Sequence, residues 1–328
     1  MERQRLAKMI VMGLILSVGG TLQGEAAVFT NGTYNNVQGN YYQYNSDVVG
    51  STGPVFMTAT GDTVFETDNG STGNFVTIRA NNGSDVDINM QGHNLTAIGG
   101  DDVVIQCANG TPVATTMKIY NVDNLNVIMN VGHDSSNSIL CWKGLLDINA
   151  NKVNVTELAT TGSAFPAVLS TNDAVVKLSG RDGVTVNTRG RGFAAGGSAS
   201  TLNIISSLGE INVTSRESSG ARAINDSKLN IDAYKDVNIT GATYGVDSTG
   251  TNNSTTDITS QTGKITVVGQ DANSAGIRSL NNSTITLHSD TLVQSPQNGV
   301  QAENNGNVIF EKGGGNCYWQ YCYKCSSR

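Results

Sequence analysis

Apolar and polar residues alternate along most of this chain, and the alternation returns at a fixed interval. Ser200-Thr-Leu-Asn-Ile204, Ser227-Lys-Leu-Asn-Ile231, Ser254-Thr-Thr-Asp-Ile258 and Ser283-Thr-Ile-Thr-Leu287 start 27, 27 and 29 residues apart. Period-2 alternation is the mark of a strand with one buried face. The apolar column extends upstream through Leu178, Ile148 and Ile119 and downstream to Phe310. A second column follows a few residues later at Val127, Val155, Val186, Val213, Ile239, Val267 and Val293. A third, less regular column reads Ala167-Val168, Ala194-Ala195, Ala223-Ile224, Gly245-Val246, Gly276-Ile277 and Gly299-Val300. Gly, Asn, Asp and Ser fill the intervals, and these residues tolerate left-handed backbone and tight turns.

Three short strands per coil of about 27 residues predict an all-β fold, a right-handed parallel β-helix of about eight coils. One coil cannot bury its inward face alone. Stacked coils, about 4.8 Å apart, pair each backbone with the coils above and below. A β-propeller is also built from repeats, but its blades need about 40 residues and four strands. Stacked Asn side chains are expected to form ladders along the axis, as identical residues do in cross-β assemblies.

The first residues read differently. Arg3, Arg5 and Lys8 precede an apolar run from Met9 to Val18, and Gly24 and Ala26 suit the −3 and −1 positions of a cleavage site. This is the pattern of a secretory signal peptide over residues 1–26. The run is too short to span a bilayer, which takes about 20 residues, and no later stretch predicts a transmembrane helix. Residues 27–84 fit the columns poorly and are expected to form an N-terminal cap and the opening coils. The β-helix itself is expected over 85–310, with Thr249 to Asn253 as a looped excursion, and 311–328 as an atypical Cys-rich tail.

Composition agrees with exported β structure. The chain has 328 residues, of which 38 are Gly, 37 are Asn and only four are Pro. Charged residues make up 14%, against about a quarter in ordinary soluble proteins, which argues against a helical bundle. Without residues 1–26 the net charge is −8. An acidic chain without a basic patch is not expected to bind nucleic acid, because phosphate contacts need Lys and Arg.

The signal and the Ser-x-Leu-x-Ile and Val-x-Val repeats together resemble the passenger domain of bacterial autotransporters and related β-helical adhesins. The resemblance covers residues 85–310 and the signal. It implies export to the surface or surroundings of a Gram-negative cell. It also implies non-catalytic adhesion, with a host or matrix glycan or protein as partner. An autotransporter also carries a C-terminal translocator barrel, and this sequence supplies none of its ten-residue amphipathic strands. The repeat stops at Phe310 and gives way to a tail with Cys317, Cys322 and Cys325. That abrupt change reads as a truncated or frameshifted frame, making the chain a fragment; a genuine short tail is the alternative.

Candidate chemistry is sparse. No catalytic, cofactor-binding or metal-binding set is assigned. Cys317, Cys322 and Cys325 space as Cys-x4-Cys-x2-Cys but lack a fourth ligand for zinc. Cys107 and Cys141 lie 34 residues apart, not a multiple of the repeat, so no bridge between coils is indicated. The alternative function is a β-helix polysaccharide lyase or hydrolase, which needs convergent carboxylates. Asp101-Asp102 is the one adjacent pair in the coils, and strand neighbours point to opposite faces. Gly92-His93 and Gly132-His133 lack the second Gly of the Gly-His-Gly found in pectin-degrading hydrolases. His93, His133 and His288 read as surface or turn residues. Arg189-Gly-Arg191 either faces an acidic glycan or is a solvated turn, and the turn is the plainer account.

Overall fold

The computed structural model describes residues 26–29, 32–36, 54–67, 76–80, 83–99, 103–109, 115–130, 137–158, 165–251, 253–311 and 316–317. Every pairing between their strands is parallel, and each strand pairs with the equivalent strand of the next coil. The result is a β-solenoid with three faces. The first face includes Pro54–Ala59, Asp85–Asn89, Thr201–Ser206, Lys228–Ala233, Thr255–Ser260 and Thr284–Leu287. The second includes Thr63–Thr67, Leu95–Gly99, Glu210–Ser215, Val237–Gly241 and Ile265–Gly269. Three long strands, Thr115–Met129, Gly144–Glu157 and Val175–Thr188, run through both, merging them into a 19-stranded sheet. The third face is a separate nine-stranded sheet from Val76–Ala80 to Asn298–Glu303. No helix among the described residues is long and apolar enough to cross a membrane.

The registers follow the first two sequence columns residue for residue. Ile119, Ile148, Leu178, Ile204, Ile231, Ile258, Leu287 and Phe310 are successive partners on the first face. Val127, Val155, Val186, Val213, Ile239, Val267 and Val293 are successive partners on the second. These side chains are buried in the core, except Phe310, which ends the first column and packs against the core partly buried. Burying each contributes about 1.5–3 kcal/mol. The same ladders run back to Ala26–Phe29 and Gly32–Asn36, in the stretch that shows no clear columns in sequence. They also run past Phe310, because Asn316–Cys317 pairs with Leu292 and Val293.

The third face shifts the register read from the sequence by two residues in one coil and three in the next. Its inward column is Ile78, Ile105, Ile139, Val168, Phe193, Ala221, Val246, Ile277 and Val300. Phe193 and Ala221 therefore hold the register position of Val168 and Val246, while Ala195 and Ala223, two residues further on, are buried in the same core. The physical reason is a second ladder beside the first. Gly192, Gly220, Gly245, Gly276 and Gly299 each precede the inward residue. A Cβ on Gly192, Gly220, Gly245 or Gly276 would lie 2.2–2.5 Å from Val213, Ile239, Val267 or Val293, respectively. The corner works only without a side chain, so glycine marks the register where the apolar residue varies.

Corners into the first face use a repeated pair of left-handed residues. Asn172-Asp173, Asn225-Asp226, Asn281-Asn282 and Asn304-Asn305 all have φ between 50° and 64°. Asn and Asp enter this region more readily than other non-glycine residues. Ser227 and Ser283 directly follow such corners, and like Ser200 and Ser254 they are fully buried. Ser227 shows the function of the hydroxyl: it accepts from Ile224 N–H at 2.9 Å and lies 2.7 Å from the Ile224 carbonyl. In the expected excursion, of which residue 252 lies outside the described residues, Gly250 packs on Asn225 and Thr251 N–H donates to Asn225 Oδ1.

The expected asparagine ladders are present on strands as well as at turns. Asn230 donates to Asn203 at 2.7 Å, Asn238 to Asn212 at 2.9 Å and Asn154 to Asn126 at 3.1 Å, all on outward positions. At corners, Asn121 donates to Asn89 and Asn124 to Asn94.

Candidate ligand-binding cleft

A cleft of about 320 Å³ opens where the second face turns into the third. Its outer wall is the turn Asp271–Ser274, and its floor is formed by outward side chains of the third face. Arg222, Asp247 and Arg278 are successive partners in that sheet, so strand pairing stacks them one above another. Each follows an inward residue of the third column, Ala221, Val246 or Ile277, and points the opposite way.

Asp247 is buried at 1% exposure between the two arginines. Arg278 grips it in a fork, with Nε 2.9 Å from Oδ1 and Nη2 3.1 Å from Oδ2. Arg278 also donates through Nη1 to the Tyr244 hydroxyl at 2.6 Å and stacks 3.7 Å from the centre of its ring. Burial works against the Arg278 charge, and Asp247 outweighs it by hydrogen bond and Coulomb attraction, so the guanidinium is held more firmly protonated. Arg222 Nε lies 3.0 Å from Asp247 Oδ2, but out of line for a hydrogen bond.

Arg191 is the third arginine in the cleft. Its Nε is buried and has no hydrogen-bond partner among the described residues. Burial, and then the neighbouring Arg222 charge, pull its pKa below the usual arginine value, while Asp247 partly compensates. The sequence motif Arg189-Gly-Arg191 is thus split. Arg189 pairs with Glu217 at 2.8 Å, while Arg191 lines the cleft. The turn between them is held by Glu157, whose buried carboxylate accepts from Thr188 Oγ1, Arg189 N–H and Gly190 N–H.

The remaining candidates are not brought together here. Asp101, Asp102, His133, Cys322 and Cys325 lie outside the described residues, and Cys317 is described in its backbone alone. His93 sits at a corner 4.0 Å from Asp62, within a polar ladder that includes Asn94 and Asn124. His288 lies on the outer surface between Glu311, at 2.7 Å, and Asp257, at 3.7 Å. Cys107 and Cys141 are direct partners across neighbouring coils of the third face, both buried and free. Their 34-residue separation hid this, because loop lengths between coils vary while strand register does not.

Sequence reasoning missed Arg222, Tyr244, Asp247 and Arg278. A signal was present: the residue after each third-column apolar position reads Arg, Asp, Arg in successive coils. No protein-family model, curated protein or solved structure matches this chain. The strands and their registers define the class: a parallel β-solenoid repeat protein, with an arginine-rich cleft on its flank.

Proposed function

We propose that the chain is an exported, non-catalytic adhesion rod, displayed at or released from the surface of a Gram-negative cell and resembling an autotransporter passenger. Residues 1–26 act as the removed signal, and a host or matrix glycan or protein is the partner. The observation that carries the reading is Asp247. A carboxylate buried between two guanidinium groups is committed to holding them, which leaves Asp271 as the other acid lining the cleft. Hydrolysis by paired carboxyls needs both groups free to exchange protons or to activate water. Binding needs neither.

The alternative, a glycan-active β-helix enzyme, is favoured by one fact: Asp247 and Asp271 line the same cleft. The two readings separate in one experiment. Full-length chain is produced with its signal in a Gram-negative host, the N-terminus of the exported form is sequenced, and the protein is applied to immobilised glycans and matrix proteins. Retention on a surface with no release of reducing ends or unsaturated sugars is the expected result. Time-dependent product release, lost in Asp271→Asn, would overturn the non-catalytic reading. Retention of residues 1–26 on a cytoplasmic product would overturn export.

A further inference from the structure

The cleft is better equipped for an anion than the protein itself requires. Three guanidinium groups, from Arg191, Arg222 and Arg278, face two carboxylates, Asp247 and Asp271, which leaves one positive charge over. Asp247 is already shared between Arg222 and Arg278. Among the described residues Arg191 has no such partner, and its buried Nε–H donates to none of them. No carboxylate among them is paired with the Arg191 guanidinium, which leaves it for an anion entering the cleft. A guanidinium presents a planar fork that matches a carboxylate.

We propose that this cleft binds the carboxylate of an acidic sugar, with Arg191 as its primary contact. The balance of one positive charge suits a monoanion better than a doubly charged phosphate. The rest of the lining suits a polyol. Ser218 and Thr243 supply hydroxyls, Asn273 an amide, and Asp271 a carboxylate able to accept from sugar hydroxyls while repelling an anion placed at its own end. That asymmetry orients the ligand, with its carboxylate toward Arg191 and its hydroxyls toward the Asp271–Ser274 turn. The inference deepens the adhesion reading by naming a ligand class, and it rests on that reading for its biological setting alone.

Saturation-transfer NMR on the full-length exported protein tests it, with sodium glucuronate, its methyl ester, glucose and inorganic phosphate as probes. Glucuronate is expected to bind, and the neutral ester and glucose to bind roughly tenfold more weakly or not at all. Arg191→Gln is expected to lose glucuronate by a similar factor. Arg191 forms no ion pair among the described residues, so the thermal transition of this variant should match the parent. Arg189→Gln, outside the cleft, is expected to bind as the parent does. Equal binding of glucuronate and its ester, unchanged binding by Arg191→Gln, or displacement of glucuronate by an equal concentration of phosphate would each overturn the proposal. Failure here with surface retention intact leaves the adhesion reading standing. Cleavage of a glucuronide would end the non-catalytic reading and leave the site in place.

Discussion

Cys107 and Cys141 meet inside the solenoid as partners on adjacent coils. The hydrogen bond with Cys141 first, and burial second, push the Cys107 thiol well above the ordinary thiol range of about 8.5. The folded state therefore holds this proton after the unfolded chain has released it. The associated stability is intact below the unfolded pKa and is lost as pH climbs through and beyond about 9. A fall in urea midpoint over that range, absent from Cys107→Ser, is the expected observation. Native protein should also resist iodoacetamide at both thiols until unfolded. Asp247 sets a second residue-scale expectation. Asp247→Ala leaves Arg222 and Arg278 buried without their shared partner and should cost about 3–5 kcal/mol by chemical denaturation.

Among the elements, glycines divide into those the corners require and those they do not. A Cβ on Gly245 would meet Val267 Cγ1 at 2.4 Å and the Gly276 carbonyl at 2.8 Å. Gly245→Ala should therefore destabilise by about 1–3 kcal/mol. Gly196 has its nearest neighbour at 3.8 Å and needs no left-handed backbone, so Gly196→Ala should leave the thermal midpoint unchanged or raise it slightly. The contrast explains what was legible in the sequence. The first two faces announce themselves because Ile, Leu and Val recur at near-constant spacing and each must point inward. The third face uses Phe193, Ala221 and Val246 at equivalent positions, so side-chain type misleads and the glycine beside it carries the register. The cleft was less legible still. Arg222, Asp247 and Arg278 stand 25 and 31 residues apart, unequal steps that become equal rungs only once the corners between them have closed. Of the cleft arginines, Arg191 alone was visible, and its sequence partner Arg189 turned out to serve Glu217.

At the scale of the molecule, outward carboxylates act as fasteners between coils. Asp62 accepts from Asn94 N–H and its side-chain amide and Glu217 pairs with Arg189 of the preceding coil, whereas Asp182 pairs within its own coil, with its neighbour Arg181. Hydrogen bonds from these partners are the main reason that all three carboxyls are held below their ordinary pKa. Their contribution is present above the ordinary carboxylate range of about 4 and is lost as pH falls through the lowered values. The thermal midpoint should decline on acidification below that range. Asp62→Asn combined with Glu217→Gln should flatten the decline.

The stacking also fixes how the rod would behave under tension. Leu202 and Leu229 are partners, so 27 residues of chain advance the axis by a single rung of about 4.8 Å. The same residues pulled straight would span roughly 90 Å. Each coil is thus a folded reserve of slack nearly twenty times its own height. A chain held at both ends would yield by peeling one coil at a time, giving a sawtooth in a force–extension trace and keeping the load near constant while its reach grows.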